Sequence, residues 1–382
     1  MSSSSIYSKI GILGGGQLGK MMAQAAADWN LELSILDPIA NAPASVCADQ
    51  TQGDFRLYDD VLAFGLMQDL ITIEIEQVNL EALKKLEQMG KKVYPSAASI
   101  ELIQDKGLQK LFYQTHSLAT ADFLLADSKV EINRWLNDKK ISFPFVQKLR
   151  KAGYDGKGVQ IIQNEDDLKN LFEEPSVVER KVDLVKEIAV LAARNASGHI
   201  VTYDPVEMIF HPTANLLLYQ ECPSTLDHNQ ITTATQLAHT LIEKMNIVGL
   251  LAVEMFLDRE GNILINEVAP RPHNSGHHTI EACSTSQFQQ HLRCILDLPL
   301  GDPHTQTSSV LLNILGEPGC TGNAVYQGIE DCLAMPGVYI HLYGKKETKP
   351  MRKMGHVTIT GKHMDRIKQT AQLITQTLKV IA

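Results

Sequence analysis

Between residues 9 and 38 a short apolar run meets three consecutive glycines, a stretch with apolar positions at helical spacing follows, and a second apolar run ends at Asp37. That change of period predicts strand, turn, helix and strand, a βαβ opening. DLITIEIEQV at 69–78 predicts a further strand carrying Glu74 and Glu76 near its end, and 81–95 predicts helix, turn and strand. A small doubly wound α/β domain over the first hundred or so residues is the consequence. A helix is expected at 99–113. Segments 176–182, 186–195 and 199–210 alternate like antiparallel strands, and 230–246 has the period of a helix. LLAVEMFLDREGNILINEVAPR at 250–271 predicts strand, turn and strand about 258–261, and the tail from about 305 is strand-rich, with a helix from about 364.

The chain has 382 residues, 44% of them apolar, and a formal charge of −9. Its length corresponds to two to three folding units at roughly 150 residues each. An acidic balance disfavours binding to nucleic acid while leaving room for a local basic pocket. The first residues lack a basic segment followed by an apolar one, and no apolar run reaches the roughly 18 residues that cross a bilayer, so a cytoplasmic protein without a membrane partner is expected. Six cysteines lie far apart with no C-x-x-C pair, which removes zinc knuckles and dithiol redox chemistry.

Gly14 to Gly19 fit GxGxxG, and Asp37 follows where a ribose-binding acid of a dinucleotide site would sit. A nicotinamide cofactor, another ligand at the same turn, and turn chemistry alone all fit that pattern. A second glycine-rich loop, KAGYDGKGV at 151–159, follows a strand carrying Lys148. Its glycines let backbone N–H groups fold over phosphates, although an exposed hairpin tip has the same composition. Glu254 and Glu267 lie inside apolar runs on the two strands of the expected hairpin, where carboxylates need cations, donors or metal. Oxygen ligands of this kind suit Mg²⁺ bearing nucleotide phosphates, against a structural ion pair as the plain alternative. Asn266, Arg271, His273 and Asn274 make the neighbouring segment densely polar. Zinc on His273, His277 and His278 is disfavoured, because Pro270, Pro272 and Gly276 break any helix and no thiolate is near. Lys345, Lys346, Arg352 and Lys353 form a basic cluster able to grip a monophosphate, or a solvated turn.

Taken in order, these motifs resemble the 5-(carboxyamino)imidazole ribonucleotide synthetase family of ATP-grasp enzymes over about residues 8–380. The resemblance implies an ATP-grasp fold of mixed α/β and α+β class, with a Rossmann-like pre-ATP-grasp domain at 1–104. It further implies an ATP-grasp domain at 105–300 with a mobile lid at about 115–182, and a small strand-rich substrate-binding domain at 301–382. The implied reaction uses ATP, Mg²⁺ and bicarbonate to carboxylate the exocyclic amine of 5-aminoimidazole ribonucleotide, within purine biosynthesis, in a homodimer.

By the same resemblance ATP is assigned to Lys106, Lys148, Gly153, Tyr154, Asp155, Gly156, Lys157, Gly158, Val159, the hinge Glu179, Arg180, Lys181 and Val182, and to Glu187, His211, Asn266 and Glu267. Glu254 and Glu267 are the implied metal ligands. The ribonucleotide is assigned to Gln17, Leu18, Glu74, Tyr154, Asp155, Arg271, His273, Asn274, Lys345, Arg352 and Lys353, with Asp155, His273 and Lys353 as catalytic groups. Val159 stands where the family usually has glutamine, the hinge reads ERKV rather than EKWV, and an extra residue precedes His211. A formate-using glycinamide ribonucleotide transformylase shares the architecture. The HNSG string and the YDGKG loop favour the imidazole substrate.

Overall fold

The computed structural model describes residues 8–151, 153, 158–210 and 217–382. Its first sheet is parallel, with strands in the order Asp49–Gln52, Leu33–Asp37, Ile10–Leu13, Leu70–Ile73 and Lys92–Val93. Ile10–Leu13 and Leu70–Ile73 are buried at every position, as strands covered on both faces must be. The chain leaves these two neighbours toward opposite edges of the sheet, so a crevice opens at their C-terminal ends. The strand expected to reach residue 78 stops at Ile73. Its last ladder bond runs from the Glu74 N–H to the Leu13 carbonyl at 3.1 Å, after which the Glu74 side chain turns back onto the glycine turn.

The helix expected at 99–113 is two helices, Ala97–Gln104 and Lys106–Thr115. Asp105 separates them in an extended conformation, and its carboxylate caps the second by accepting from the Gly107 N–H at 2.8 Å and the Leu108 N–H at 3.2 Å. Periodicity alone cannot see this break, because apolar residues continue through it.

A small antiparallel sheet follows, in the order Phe123–Ala126, Ser176–Arg180, Phe145–Leu149 and Val159–Ile162. Ile132 and Trp135 of the helix Lys129–Asn137 pack with Phe145 and Ile162 to form its own core. Segment 176–182 therefore does not pair with 186–195 as the pattern suggested. Its strand is filled on both sides by Phe123–Ala126 and Phe145–Leu149, and only after it does the chain enter the largest sheet.

That nine-stranded sheet runs Ile263–Ala269, Gly249–Asp258, Leu184–Arg194, Val206–Phe210, Leu217–Cys222, Ser308–Leu315, Lys353–Gly361 and Val338–Leu342, with Ile200–Thr202 beside Leu184–Arg194. The expected strand 199–210 is thus two, interrupted around Pro205, which cannot donate to a ladder. The helix His228–Lys244 begins with a capping box between Asp227 and Gln230 and lays Ala234, Ala238, Leu241 and Ile242 on the sheet. Strands beyond residue 300 continue the same sheet through Leu217–Cys222 and Ser308–Leu315. Phe288 and Leu292 of the helix Gln287–Ile295 pack with Ile12 and Met22, which holds the first sheet's crevice against the large sheet. No helix among the described residues is long and apolar enough to cross a membrane.

Candidate active site

The hairpin Gly249–Asp258 and Ile263–Ala269 places Glu254 directly opposite Glu267, as the pattern of the two strands predicts. Pairing then slips, with Met255 opposite Ile265, so Asn266 is the extra residue of a bulge. Glu254 is nearly buried at 16% side-chain exposure, whereas Glu267 is 49% exposed, so the expectation that both carboxylates are buried holds for Glu254 alone. Glu267 opens into the cleft and meets the Lys106 ammonium at 2.7 Å. That lysine holds the Glu267 carboxyl well below its ordinary value. Burial, then repulsion from Glu267 and Glu187, pushes Glu254 up, and burial followed by Glu267 raises Glu187 to about 7. Three acids held in one place at such a cost form a site that gains from a divalent cation. Mg²⁺ takes one or two carboxylates from a protein and its remaining oxygens from phosphates and water, which Glu254 and Glu267 fit. Among the described residues no group of three His, Cys, Asp or Glu could hold a metal unaided.

Beside this hairpin Lys148 reaches the Asn266 Oδ1 and the Glu179 Oε2, both at 2.8 Å. The other oxygen of Glu179 meets Lys110 at 2.8 Å, and Lys110 also donates to Thr120. Burial pushes Glu179 upward, but Lys148 and Lys110 reverse this and hold its carboxyl below the usual range. Sequence reasoning assigned Lys148, Glu179 and Asn266 but missed Lys110. Its only signal was a spacing of four from Lys106, which puts both lysines on one helix face. Arg150 was also missed. It clamps Asp105 through Nε–Oδ1 at 2.9 Å and Nη2–Oδ2 at 2.8 Å, tying the start of the Lys106 helix to the end of the Lys148 strand. Gly107 permits this approach, since a Cβ there would lie 2.5 Å from the Arg150 Nε.

The first glycine turn is filled by the chain's own acids. Glu74 accepts from the N–H groups of Gly16 and Gly19, and Asp37 accepts from Gly15 at 2.8 Å. Gly14, at φ +103°, allows that packing, because a Cβ would meet the Glu74 Cγ at 2.5 Å. Both features read as signs of a dinucleotide, the helix N-terminus and the ribose acid, are therefore satisfied internally. Nearby, Glu76 takes Arg271 through Nε at 2.8 Å and Nη2 at 3.2 Å.

Two joined cavities collect most of the expected residues. One of about 440 Å³ is lined by Lys148, Val159, the hinge Glu179, Arg180, Lys181 and Val182, Glu187, Asn266 and Glu267. Val146, Ile161, Met208, Phe210, Leu217 and Phe256 give it apolar walls of the kind a planar base requires. The other, about 1870 Å³, is lined by Gln17, Leu18, Glu74, Lys106, Gly153, Arg271, Lys345 and Arg352. Glu254, Glu267, His273, Asn274 and Lys353 line both. Gly158 lines neither, and Tyr154, Asp155, Gly156, Lys157 and His211 lie outside the described residues.

Within the larger cavity several expected substrate groups already hold protein partners. Lys345 donates to the Lys353 carbonyl at 2.7 Å, and Arg352 donates to the Glu347 carbonyl at 2.7 Å. The His273 Nε2 lies 3.6 Å from Glu254, and its Nδ1 is 2.9 Å from the Ser275 hydroxyl. His277 and His278 diverge from His273 into the interior, where Gln287 meets His277 at 3.0 Å and Gln220 meets His278 at 2.9 Å. His277, His356 and His341 stack with centroids 4.6 and 4.5 Å apart, which makes them packing residues rather than one ligand set.

Family models match three parts of the chain: a ribonucleotide synthetase preATP-grasp domain at residues 7–104, an ATP-grasp domain at 111–288 and a phosphoribosylaminoimidazole carboxylase C-terminal domain at 309–370. The structure superposes on that of N5-carboxyaminoimidazole ribonucleotide synthetase from Thermotoga maritima with a TM-score of 0.90 and 38% identity, covering 98% of this chain and 99% of that one. The Aspergillus clavatus N5-carboxyaminoimidazole synthase, solved with ADP and 5-aminoimidazole ribonucleotide, gives 0.88 and 30%, covering 97% and 98%. The chloroplastic phosphoribosylaminoimidazole carboxylase of Vigna aconitifolia is 36% identical over 377 residues, 96% of this chain but 66% of the relative, so the chain spans about two thirds of that protein. Three domain matches in order and near-complete overlap with relatives at this identity place the chain in the N5-carboxyaminoimidazole ribonucleotide synthetase family of ATP-grasp enzymes.

Proposed function

We propose that this chain uses ATP and bicarbonate to carboxylate the exocyclic amine of 5-aminoimidazole ribonucleotide, releasing ADP and phosphate, as a step of purine biosynthesis. The observation that carries this reading is the pair of joined cavities, one with apolar walls and lysines, the other rimmed by Lys345 and Arg352, which share Glu254, Glu267, His273, Asn274 and Lys353. A reaction that moves a phosphoryl group and then a carboxyl group between two substrates needs such a common wall.

Bicarbonate is a poor electrophile. Its oxygen attacks the γ-phosphorus, ADP leaves, and carboxyphosphate forms; the amine nitrogen then attacks the carboxyl carbon, phosphate leaves, and the nitrogen gives up a proton. Lys148 and Lys106 stabilise the phosphates, the hinge Glu179 to Val182 and the apolar walls hold the base, and Glu187 faces the ribose. Glu254 and Glu267 would hold Mg²⁺, which would supply charge neutralisation to the nucleotide phosphates. Arg352, Lys345 and Lys353 hold the ribonucleotide phosphate, His273 and Asn274 orient the bicarbonate or amine, and Gln17, Leu18, Glu74 and Arg271 shape the ribose end. Asp155, with Tyr154, takes its role from the resemblance, orienting the amine and receiving its proton. The loop Gly153 to Val159 and His211 take their nucleotide-binding roles from the resemblance, as does the small sheet its role as a lid. A cytoplasmic homodimer belongs to the same reading.

ADP release measured with aminoimidazole ribonucleotide and bicarbonate, against glycinamide ribonucleotide and formate, tests it. Turnover with the first pair and none with the second is expected; turnover only with the second pair overturns the assignment.

A further inference from the structure

Lys110 lines neither cavity, yet it is one of the most buried cations of the fold, with 5% of its side chain exposed. Glu179 is 4% exposed and Lys148 11%, so the three charged groups sit in nearly complete isolation from water. Each oxygen of the Glu179 carboxylate holds one lysine at 2.8 Å. The Thr120 hydroxyl receives the Lys110 ammonium and donates to the Ile265 carbonyl at 2.7 Å, one residue before Asn266, while the Phe123 ring lies 5.9 Å from the ammonium.

Charge arithmetic gives this arrangement a purpose. A carboxylate paired with Lys148 alone would form a neutral pair, and the only cation of that pair facing the nucleotide cavity would be compensated before any phosphate arrived. With Lys110 added the cluster carries 2 − 1 = +1, and the surplus is expressed at Lys148, which both lines the cavity and touches Asn266. In surroundings this dry, such charges act at short range with little screening.

We infer that Lys110 is a positioning residue for nucleotide binding: it engages one oxygen of Glu179 so that Lys148 stays fixed toward the cavity with its charge not cancelled by that carboxylate. The inference rests on the reading of the 440 Å³ cavity as the ATP site but not on the identity of the acceptor. Lys110 touches no reacting atom.

The test is calorimetric titration of ADP, which needs no acceptor, into the full-length protein and two variants. Lys110→Met leaves Glu179 to Lys148 alone and should weaken ADP about tenfold, the loss of one charge-assisted contact. Lys110→Arg keeps a cation beside Glu179 and should hold ADP affinity to within about threefold of the parent. In steady-state assays the single variant should raise the KM for ATP and leave the KM for the ribonucleotide unchanged. Parental ADP affinity in Lys110→Met overturns the inference. So does a folded Lys110→Arg variant that binds ADP tenfold more weakly than the parent, since the cation beside Glu179 is retained there. If Lys110→Met does not fold, Lys110→Gln, which keeps a donor to Glu179 without the charge, decides the matter: tenfold weaker ADP binding is expected, and parental affinity overturns the inference. Absence of carboxylation by the parent protein would sink the proposed function and leave the ADP titration standing.

Discussion

The helix Lys106–Thr115 sends two lysines one turn apart into two carboxylate clusters that differ in their access to water and in their charge, one rich in acids and the other in lysines. Lys106 meets Glu267 in an open cleft, and Lys110 meets Glu179 in a sealed one. Where water reaches the pair, the carboxylate can trade its lysine for a metal ion and the lysine its carboxylate for a phosphate at little cost, so the open cluster suits groups that must change partners during turnover. Where water is excluded, every partner lost leaves an uncompensated charge, so the sealed cluster suits a fixed electrostatic frame. The same lysine–carboxylate contact thus serves motion in one place and rigidity in the other.

The largest effect that separates them is on turnover. Glu267→Gln removes one of the two proposed metal ligands without changing shape and should lower ATP turnover by roughly a thousandfold, about 4 kcal/mol of transition-state stabilisation, while the circular dichroism spectrum stays that of the parent. Full ADP release by the folded variant would break the metal assignment. The sealed cluster should answer through stability instead. Glu179→Ala leaves Lys110 and Lys148 facing each other, and breaking a buried pair in this way costs about 3 to 5 kcal/mol, against less than about 1 kcal/mol for Lys106→Ala at the open pair. Denaturant midpoints measured side by side check this, and equal losses would erase the distinction.

How far these clusters were legible in the sequence follows from their geometry. Glu254 and Glu267 were readable because a hairpin with its turn at a known place fixes its own register, and two acids in apolar strands stand out. The Asn266 bulge was not readable, since a single slip of register leaves no trace in polarity. Lys110 in a helix looks like any solvated lysine, and its partner Glu179 arrives from a strand some seventy residues away. The hinge was recognisable only as part of a resemblance, whereas the glycine loop stood out by its own composition. Strand order in the nine-stranded sheet, and the way the strands beyond residue 300 extend it, are long-range pairings that local pattern cannot supply. In the first domain the reverse held: βαβ order prescribed the sheet, but not that Glu74 and Asp37 would occupy the turn that resembled a dinucleotide site.

A smaller effect belongs to the cations at the rim of the larger cavity, which like Lys106 are open to the cleft. Arg352→Ala should raise the ribonucleotide KM by roughly ten- to a hundredfold, the equivalent of about 1.5 to 3 kcal/mol for a charge-assisted contact, and change the ATP KM little. An unchanged ribonucleotide KM would show that Arg352, whose guanidinium also binds the Glu347 carbonyl, serves the loop and not the ligand.

The smallest expected effect tests the open cluster from its acid side. Glu187 has its carboxyl raised to about 7 by burial and by repulsion from Glu267, against an ordinary value of 4.5. Between those two values the unfolded chain has lost the proton while the folded protein keeps it, so the unfolded state binds fewer protons and folding stability falls as pH rises through this window. The cost is absent below about 4.5 and complete above about 7. Its slope is about 1 kcal/mol per pH unit at most, lessened by the water that reaches the side chain from the cleft. Glu187→Gln should remove that slope, making the variant more stable than the parent at pH 7.5 and equal to it at pH 4.5. Adding Mg²⁺ with ADP to the parent should shrink the difference, because a cation near Glu254 and Glu267 relieves the repulsion that Glu187 feels. Urea midpoints across this range check both statements. A difference that persists unchanged at pH 4.5 would show that Glu187 acts through packing and not through its charge, and would remove it from the open cluster.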